Sequence, residues 1–590
     1  MALQTMRHTV DFCVIGGGLS GMCAAIAAAR HGLKVALMQE RPMLGGNASS
    51  EVRMWVCGAH GDNNRETGLL EEIMMENQYR NPDKNYHIWD GILYEKVRFE
   101  KNITLLLNCS CMDAQMDGDR IVSVTGWQMT TQRFHLVEAK LFADCSGDSI
   151  LAPLTGAPYR EGREARSEFG ETIPPEKADS HTMGLSCMIQ AEETDAPHAF
   201  IPPLWAEKID RSKLNHRLPD LSNPMENFWY LELGGMRDTI GDTEEIRDEL
   251  LALAYGMWDY LKNDPEQAQK YENWRLDWMG ILPGKRESRR YVGAYTMTEH
   301  DVRAGGNFPD EIAYGGWTMD DHHPAGFRTE EPPTTYHPAP SPYGIPFRSL
   351  YSEQVPNLMF AGRNISVTHA AMSSTRVMGT CALLGQAVGT AASIAVQRDC
   401  LPKDVSRNHM ELLQDRLQQD DCFLPHLRRR ISPLCTGAKL TGGGEHLDRL
   451  LDGIDRDRPD EEHAWRGKVG DTISYAFDRP VSMSSIRLVL DSDLNRATLP
   501  EPECRMNRNM FHNRLKTYQP SHVPTTMLKA YRIIARLADG TEKVVVDEHE
   551  NHLRLRRYDV QIANCIALTL EPLQTWGMDE VRIFSFEAWE

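Results

Sequence analysis

The chain has 590 residues, more than one hydrophobic core ordinarily serves, which implies roughly two to four structural units and excludes a small peptide module. With 64 Lys and Arg against 84 Asp and Glu, the formal net charge of −20 disfavours phosphate backbones and anionic membranes as partners. The N-terminal stretch has no apolar core of secretory type, no stretch approaches the roughly eighteen uninterrupted apolar residues of a membrane span, and 13 scattered cysteines lack CxxC pairs; a cytoplasmic protein with reduced thiols, no membrane and no nucleic acid is expected.

The first element is the apolar run "DFCVIGGG", short and bounded by glycines as a buried parallel strand would be. "SGMCAAIAAARHG" follows as a helix whose alanines permit close packing on a sheet, with His31 and Gly32 as its end. A second strand, "LKVALMQE", closes on Glu40, at the spacing from the glycine turn where an acidic side chain accepts hydrogen bonds from a ribose. In this context Gly16 allows the turn, Gly18 lets the backbone approach a pyrophosphate, and Gly21 brings helix and strand together. Leu19 and Ser20 open a helix whose N-terminal N–H groups attract negative charge. The unit reads as a dinucleotide site.

After Glu40 and Arg41 comes "RPMLGGNASSEVRMWVCGAHG", an irregular stretch long enough to lie along an extended cofactor, where a simple nicotinamide dehydrogenase would begin another helix. "NITLLLNCS", "RIVSVTGWQM" and "RFHLVEAKLFADCSGD" read as strands and a β-meander ending in a second glycine turn, with Cys109 and Cys111 on one face of a strand. Residues 156–340 change character, with prolines, tryptophans and the helix "DTEEIRDELLALAYGMWDYLKN", and are taken as a substrate or cap domain. The earlier style returns in "VPNLMFAGRNISVTHAAMSSTRVMGTCALLGQAVGTAASIAVQ": a short strand, a Gly/Arg/Asn turn and one long small-residue helix from about Ser373 to Gln397. Beyond a polar helical linker at 403–435, short strands with turn signals suggest a β-sandwich over 436–590.

Four of these stretches, "VIGGGLSGMCAAIAAARHG", "ERPMLGGNASSEVR", "LFADCSGDSILA" and "FAGRNISVTHAAMSSTRVMGTCALLGQAVGTAA", resemble the FAD-dependent oxidoreductases of the glutathione-reductase-like two-domain fold. More narrowly they resemble a branch distant from the succinate dehydrogenase and fumarate reductase flavoproteins, as does "LPGKRESRRYVGAYTMTEHDV". The resemblance implies an α/β, Rossmann-type FAD-binding domain (1–155 and 341–402) with an inserted α+β cap (156–340). It implies FAD held by Gly16, Gly18, Leu19, Ser20, Gly21, Glu40, Arg41, Gly45, Gly46, Asn47, Ser49, Gly147, Asp148, Gly362, Arg363 and Gly379. The segment after "LGGN" lacks the flavin-attachment histidine of the succinate dehydrogenases, the nearest being His60, so noncovalent FAD is expected; Cys57 and His60 are candidate flavin neighbours, with loop packing the favoured reading. The C-terminal stretches "LLDGIDRDRPDEEHAWRG" and "ISYAFDRPVSMSSIRLVL" resemble the discoidin, or galactose-binding-like, jelly roll.

For the chemistry, His369 is the expected general base, because a neutral histidine suits proton removal near pH 7 and the chain should bring it to the flavin. Arg376 should stabilise the reduced flavin, and Arg286, Arg348, Tyr343 and Arg53 should orient a polar substrate. "MDDHHPAG" reads as a loop rather than a metal site, since adjacent histidines do not easily face one ion; no metal is expected. The leading expectation is an oxidoreductase moving a hydride from a secondary hydroxyl of a sugar or polyol to flavin N5, with an unspecified electron acceptor and homo-oligomerisation left open. The alternatives are a C–C dehydrogenase or ene reductase on a carboxylate, a redox-neutral glycoside-cleaving lyase, and a carbohydrate-binding protein with a structural flavin.

Overall fold

The computed structural model describes residues 3–496 and 510–590. The chain divides into two compact units: one of Met1–Ala59, Lys84–Leu413 and Arg508–Pro520, the other of His60–Asp83, Gln414–Asn507 and Ser521–Glu590. Residues 60–83, which the sequence groups with the first domain, thus belong to the second unit, and the stretch read as a linker is shared between both.

The first unit is organised by a seven-stranded sheet. Thr5–Ile15 is buried at its C-terminal end and pairs in parallel with Val35–Met38 on one side and Arg133–Asp144 on the other. Ile103–Leu106 extends the parallel edge beside Val35–Met38, while Cys109–Asp117 and Arg120–Gln128 form the antiparallel meander onto Arg133–Asp144. Leu358–Phe360, more than two hundred residues later, adds in parallel to Phe142–Asp144. The strand ends that precede the glycine turns at Gly16, Gly147 and Gly362 are therefore neighbours, which is how three distant turns reach one place.

Helix Leu19–Arg30 and helix Met378–Gln397 pack on each other, and their small residues explain how closely. A β-carbon on Gly385 would lie 1.9 Å from the carbonyl oxygen of Ser20, and one on Gly389 would lie 2.1 Å from that of Ala24. Met378–Gln397 is also long and apolar enough to cross a membrane by length and composition, but 94 % of that span is buried inside the protein. It is a core helix. The single helix expected from about Ser373 is in fact two, His369–Thr375 and Met378–Gln397, because Val377 is extended (φ −66°, ψ 147°) and restarts the helix at Met378.

The cap segment builds a second core from helix Thr243–Asn263, whose Leu250, Leu253, Met257, Trp258 and Leu261 pack with Leu185, Ile189 and Trp274. Short antiparallel pairs surround it, including Glu232–Leu233 and Gly284–Lys285 on either side of Leu185–Ser186. "MDDHHPAG" is not a loop throughout: Met319–His322 is a strand paired antiparallel with Thr334–His337. Its charged residues alternate across the strand, and that period-two placement is invisible when every position is polar.

The second unit is an antiparallel β-sandwich. Strands Ile473–Leu490 and Leu555–Thr575 each run so far that register shifts bend them. Ser485–Val489 pairs with Leu555–Asp559 on one side and with Ser585–Trp589 on the other. Helix Leu69–Arg80 belongs to this unit.

Candidate functional site

The three glycine turns open onto one cavity of about 640 Å³, lined entirely by residues of the first unit. Its lining includes Met38, Gln39, Glu40, Arg41, Cys109 and Cys111, at or just beyond the ends of strands Val35–Met38 and Cys109–Asp117. It also includes Gly16, Gly18, Leu19, Ser20, Gly45, Gly46 and Asn47 with Gly147, Asp148, Gly362 and Arg363. Met54, Cys57, Met188, Leu282, Arg286, Arg376, Val377, Met378 and Cys381 line the wall where the cap segments and the break before Met378 come in.

Each glycine of the first turn has its own physical reason. Gly16 has φ +98°, and a β-carbon there would sit 2.4 Å from the carbonyl oxygen of Cys145 on the neighbouring strand end. At Gly21 a β-carbon would lie 1.8 Å from the Gly16 carbonyl oxygen, so helix and turn meet only without one. Gly18 differs: a β-carbon would meet nothing nearer than the Gly46 Cα at 3.9 Å. Gly18 is therefore not needed for packing and leaves a groove open to the cavity. Gly18 also caps helix Leu19–Arg30 without a side-chain hydrogen bond, so the helix keeps its first N–H groups for an anion. A pyrophosphate fits that cradle, and Glu40, which lines the cavity at the strand end, fits a ribose.

Asp148 is held by Arg363 at 2.5 Å and Lys285 at 2.8 Å. Burial would raise its pKa, but the two cations override burial and keep the carboxyl well below its usual range. Burial pushes the thiols of Cys109 and Cys111 up to about 12, so both stay protonated at neutral pH. Three residues expected at the cofactor support it from behind rather than line the cavity. Gly21 packs helix on turn, Ser49 donates to the Gly46 carbonyl at 2.7 Å, and the Gly379 N–H donates to the Cys57 carbonyl at 2.8 Å.

The expected catalytic residues are not brought together. Arg376 and Arg286 line the cavity; His369, Arg348, Tyr343 and Arg53 do not. The Tyr343 hydroxyl is buried and bonded to Ser374 Oγ at 2.6 Å. Arg348 pairs with Asp310 at 3.0 Å and covers the Tyr295 ring. Arg53, in the left-handed region at φ 59°, bonds Gln190 and lies between the rings of Tyr86 and Trp278. Cys57 lines the cavity, whereas His60 belongs to the other unit.

His369 requires a correction. It is buried, with Nδ1 3.0 Å from Glu287 and Nε2 3.1 Å from Asp321. Burial alone would lower its pKa, but the charge of Glu287 and the hydrogen bond to Asp321 prevail and push it up to about 10. Both ring nitrogens of His369 are engaged by carboxylates and the residue does not line the cavity, a placement that suits an ion-pair residue better than a general base.

Glu232 is not singled out in the sequence, and Asp320 and His322, in "MDDHHPAG", are weighed there only as metal ligands. His322 is buried, with Nδ1 2.6 Å from Glu232 Oε2 and Nε2 3.3 Å from Asp320 Oδ2. Asp320 reaches Arg376 Nη2 at 3.2 Å, and Glu232 lies 3.4 Å from Arg286 Nη1. A continuous run of polar contacts thus links one cavity arginine to the other through Asp320, His322 and Glu232. Burial opposes ionisation of Asp320, but His322 and Arg376 hold its carboxyl far below the usual range.

The sequence matches the family described as FAD dependent oxidoreductase over residues 11–417. The glycine turns, the open cradle at Gly18 and the long cavity are a flavin dinucleotide site, and the chain belongs to that family of FAD-dependent oxidoreductases. No curated protein matches it. Among solved structures, a geranylgeranyl bacteriochlorophyll reductase-like protein from Thermoplasma acidophilum is 11 % identical, covering 70 % of this chain and 84 % of its own, with a TM-score of 0.31. The flavin-dependent brominase Bmp2 is 11 % identical over 70 % of this chain and 86 % of its own, with a TM-score of 0.32. The family 32 carbohydrate-binding module of Streptococcus pneumoniae EndoD is 12 % identical over 27 % of this chain and 98 % of its own, with a TM-score of 0.20.

Proposed function

We propose that the enzyme binds FAD noncovalently and oxidises a secondary hydroxyl of a sugar or related polyol. The observation that carries this reading is the wall made by Arg376 and the Met378 helix start. Arg376 Nη2 is bonded to Asp320, while its buried Nε has no hydrogen-bond partner among the described residues. The guanidinium stands beside a helix start that has no side-chain cap, although the Gly379 N–H is already taken by the Cys57 carbonyl, so this wall is rich in donors. Such a surface stabilises the negative charge that gathers on a hydroxyl oxygen as its proton passes to solvent water in the cavity. When bound, FAD supplies the two-electron acceptor for the hydride of the same carbon. Neither histidine nor tyrosine is among the residues lining the cavity, and burial keeps the thiols of Cys109 and Cys111 protonated, which supports cofactor retention without a covalent bond.

The absence of histidine from that lining also favours a second reading, C–C dehydrogenation or ene reduction of a carboxylate, in which arginine clamps the carboxylate and no hydroxyl proton need be accepted. Anaerobic mixing with a panel of aldoses, uronates, polyols and saturated dicarboxylates separates the two. Bleaching of the flavin absorbance by a member of the sugar or polyol set is expected. Bleaching by a dicarboxylate alone replaces the first reading with the second, and bleaching by neither overturns both.

A further inference from the structure

The two cavity arginines differ in how much of their hydrogen-bonding capacity the protein uses. Arg286 donates to the Gly184 carbonyl at 3.3 Å, Ser186 Oγ at 2.9 Å and the Trp229 carbonyl at 2.9 Å. It is a satisfied strut of the cap. Arg376 is tied through Nη2 alone, to the Asp320 carbonyl at 3.3 Å and carboxylate at 3.2 Å. Asp320 is itself fixed from three directions: Thr334 Oγ1 at 2.6 Å, His322 Nε2 at 3.3 Å and Trp317 Nε1 at 3.4 Å. His322 in turn is fixed by Glu232 at 2.6 Å, and its ring meets Trp229 edge-on at 5.2 Å. Glu232 accepts from the Gly184 N–H at 2.6 Å and faces Arg286.

We propose that His322, anchored by Glu232, is a positioning residue that holds Asp320 so that Arg376 keeps its place in the cavity wall as a binding site for an anionic oxygen, carboxylate or alkoxide. The inference rests on the reading of the Arg376 wall as the substrate end. His322 bridges the two carboxylates through its two ring nitrogens; remove the ring and Asp320 loses one of the contacts that orient it, while buried Glu232 keeps one partner fewer. The guanidinium is then free to rotate about the single remaining tie.

The test uses the FAD-loaded full-length protein and benzoate as the probe anion, with binding read from the shift it causes in the flavin absorbance spectrum. This requires no turnover, so it stands or falls separately from the identity of the substrate. Wild type is expected to bind benzoate saturably and Arg376→Gln to lose binding. His322→Leu and Asp320→Asn are each expected to weaken it by about tenfold, the scale of one charged hydrogen bond. His322→Gln, which restores a donor toward Asp320, should recover part of the affinity. FAD content and melting temperature are measured alongside, because a merely structural histidine would lower those and leave the benzoate Kd of the loaded fraction unchanged. Where His322→Leu fails to fold, Asp320→Asn decides. Benzoate binding that survives Arg376→Gln, a Kd within twofold of wild type in the decisive variant, or no binding by wild type overturns the proposal.

Discussion

The glycine turns of the cavity and the wall at Arg376 and Arg286 are built on opposite principles. The first is made of backbone: glycine turns at strand ends, helix N–H groups, and residues whose smallness is their function. The second is made of side-chain charge, supplied by residues 232, 286, 320, 322 and 376 and fixed by one another. Backbone sites depend on local sequence and so carry a local signature. A charge network depends on which distant segments meet, and its members look like ordinary polar positions until they do.

Substitutions should respond differently in the two halves, and the largest effects belong to the first. Gly21→Val drives a side chain into the Gly16 carbonyl and should abolish soluble flavoprotein. Gly18→Ala has no protein atom to clash with, so the apoprotein should fold with a melting temperature near wild type while FAD content collapses. Equal loss of fold in both, measured by calorimetry and by flavin released on heating, would erase the distinction between packing glycine and cradle glycine.

On the charged side, His369→Gln removes a buried cation from between Glu287 and Asp321 and should cost about 3–5 kcal/mol of stability. The sign of its pH dependence follows from a pKa raised from about 6.5 unfolded to about 10 folded. Its stabilisation is fully present below about pH 6.5 and is lost as pH rises through about 10. Wild type should therefore lose melting temperature over that window more steeply than His369→Gln. The rate of flavin reduction per bound flavin should change little, and a fall of a hundredfold would restore His369 to the chemistry. The smallest effect is expected from Arg348→Met, whose ion pair with Asp310 is 39 % exposed on the arginine side; it should cost at most about 1 kcal/mol and leave FAD content intact.

The same contrast explains what could be read from the sequence. The strand, glycine turn, helix and Glu40 were readable because a dinucleotide imposes fixed spacings on contiguous residues. The meander and the return at Leu358 followed from apolar runs bounded by turns. The charge network at Arg376 was not readable. His369 sits next to the right helix in sequence, yet its ring points at Glu287 and Asp321, which only the cap segments supply. Asp320 and His322 were hidden in a run of four charged or polar residues that gives no strand period, and Glu232 lies nearly ninety positions away from them. Val377, which splits the expected long helix and places Arg376 at the cavity, has no sequence signal beyond its β-branch.

The measurement that bears most directly on the wall at Arg376 is stopped-flow flavin reduction, without oxygen, by the most effective reductant of the sugar and carboxylate panel, comparing Arg376→Gln with Arg348→Gln in loaded protein. Arg376 lines the cavity with an unpartnered Nε, whereas Arg348 lies outside it, paired with Asp310. The reductive rate should fall by roughly a hundredfold or more in Arg376→Gln, the scale of one lost transition-state donor, and stay within about threefold of wild type in Arg348→Gln. Equal rates in the two variants would contradict the placement of the chemistry at Arg376.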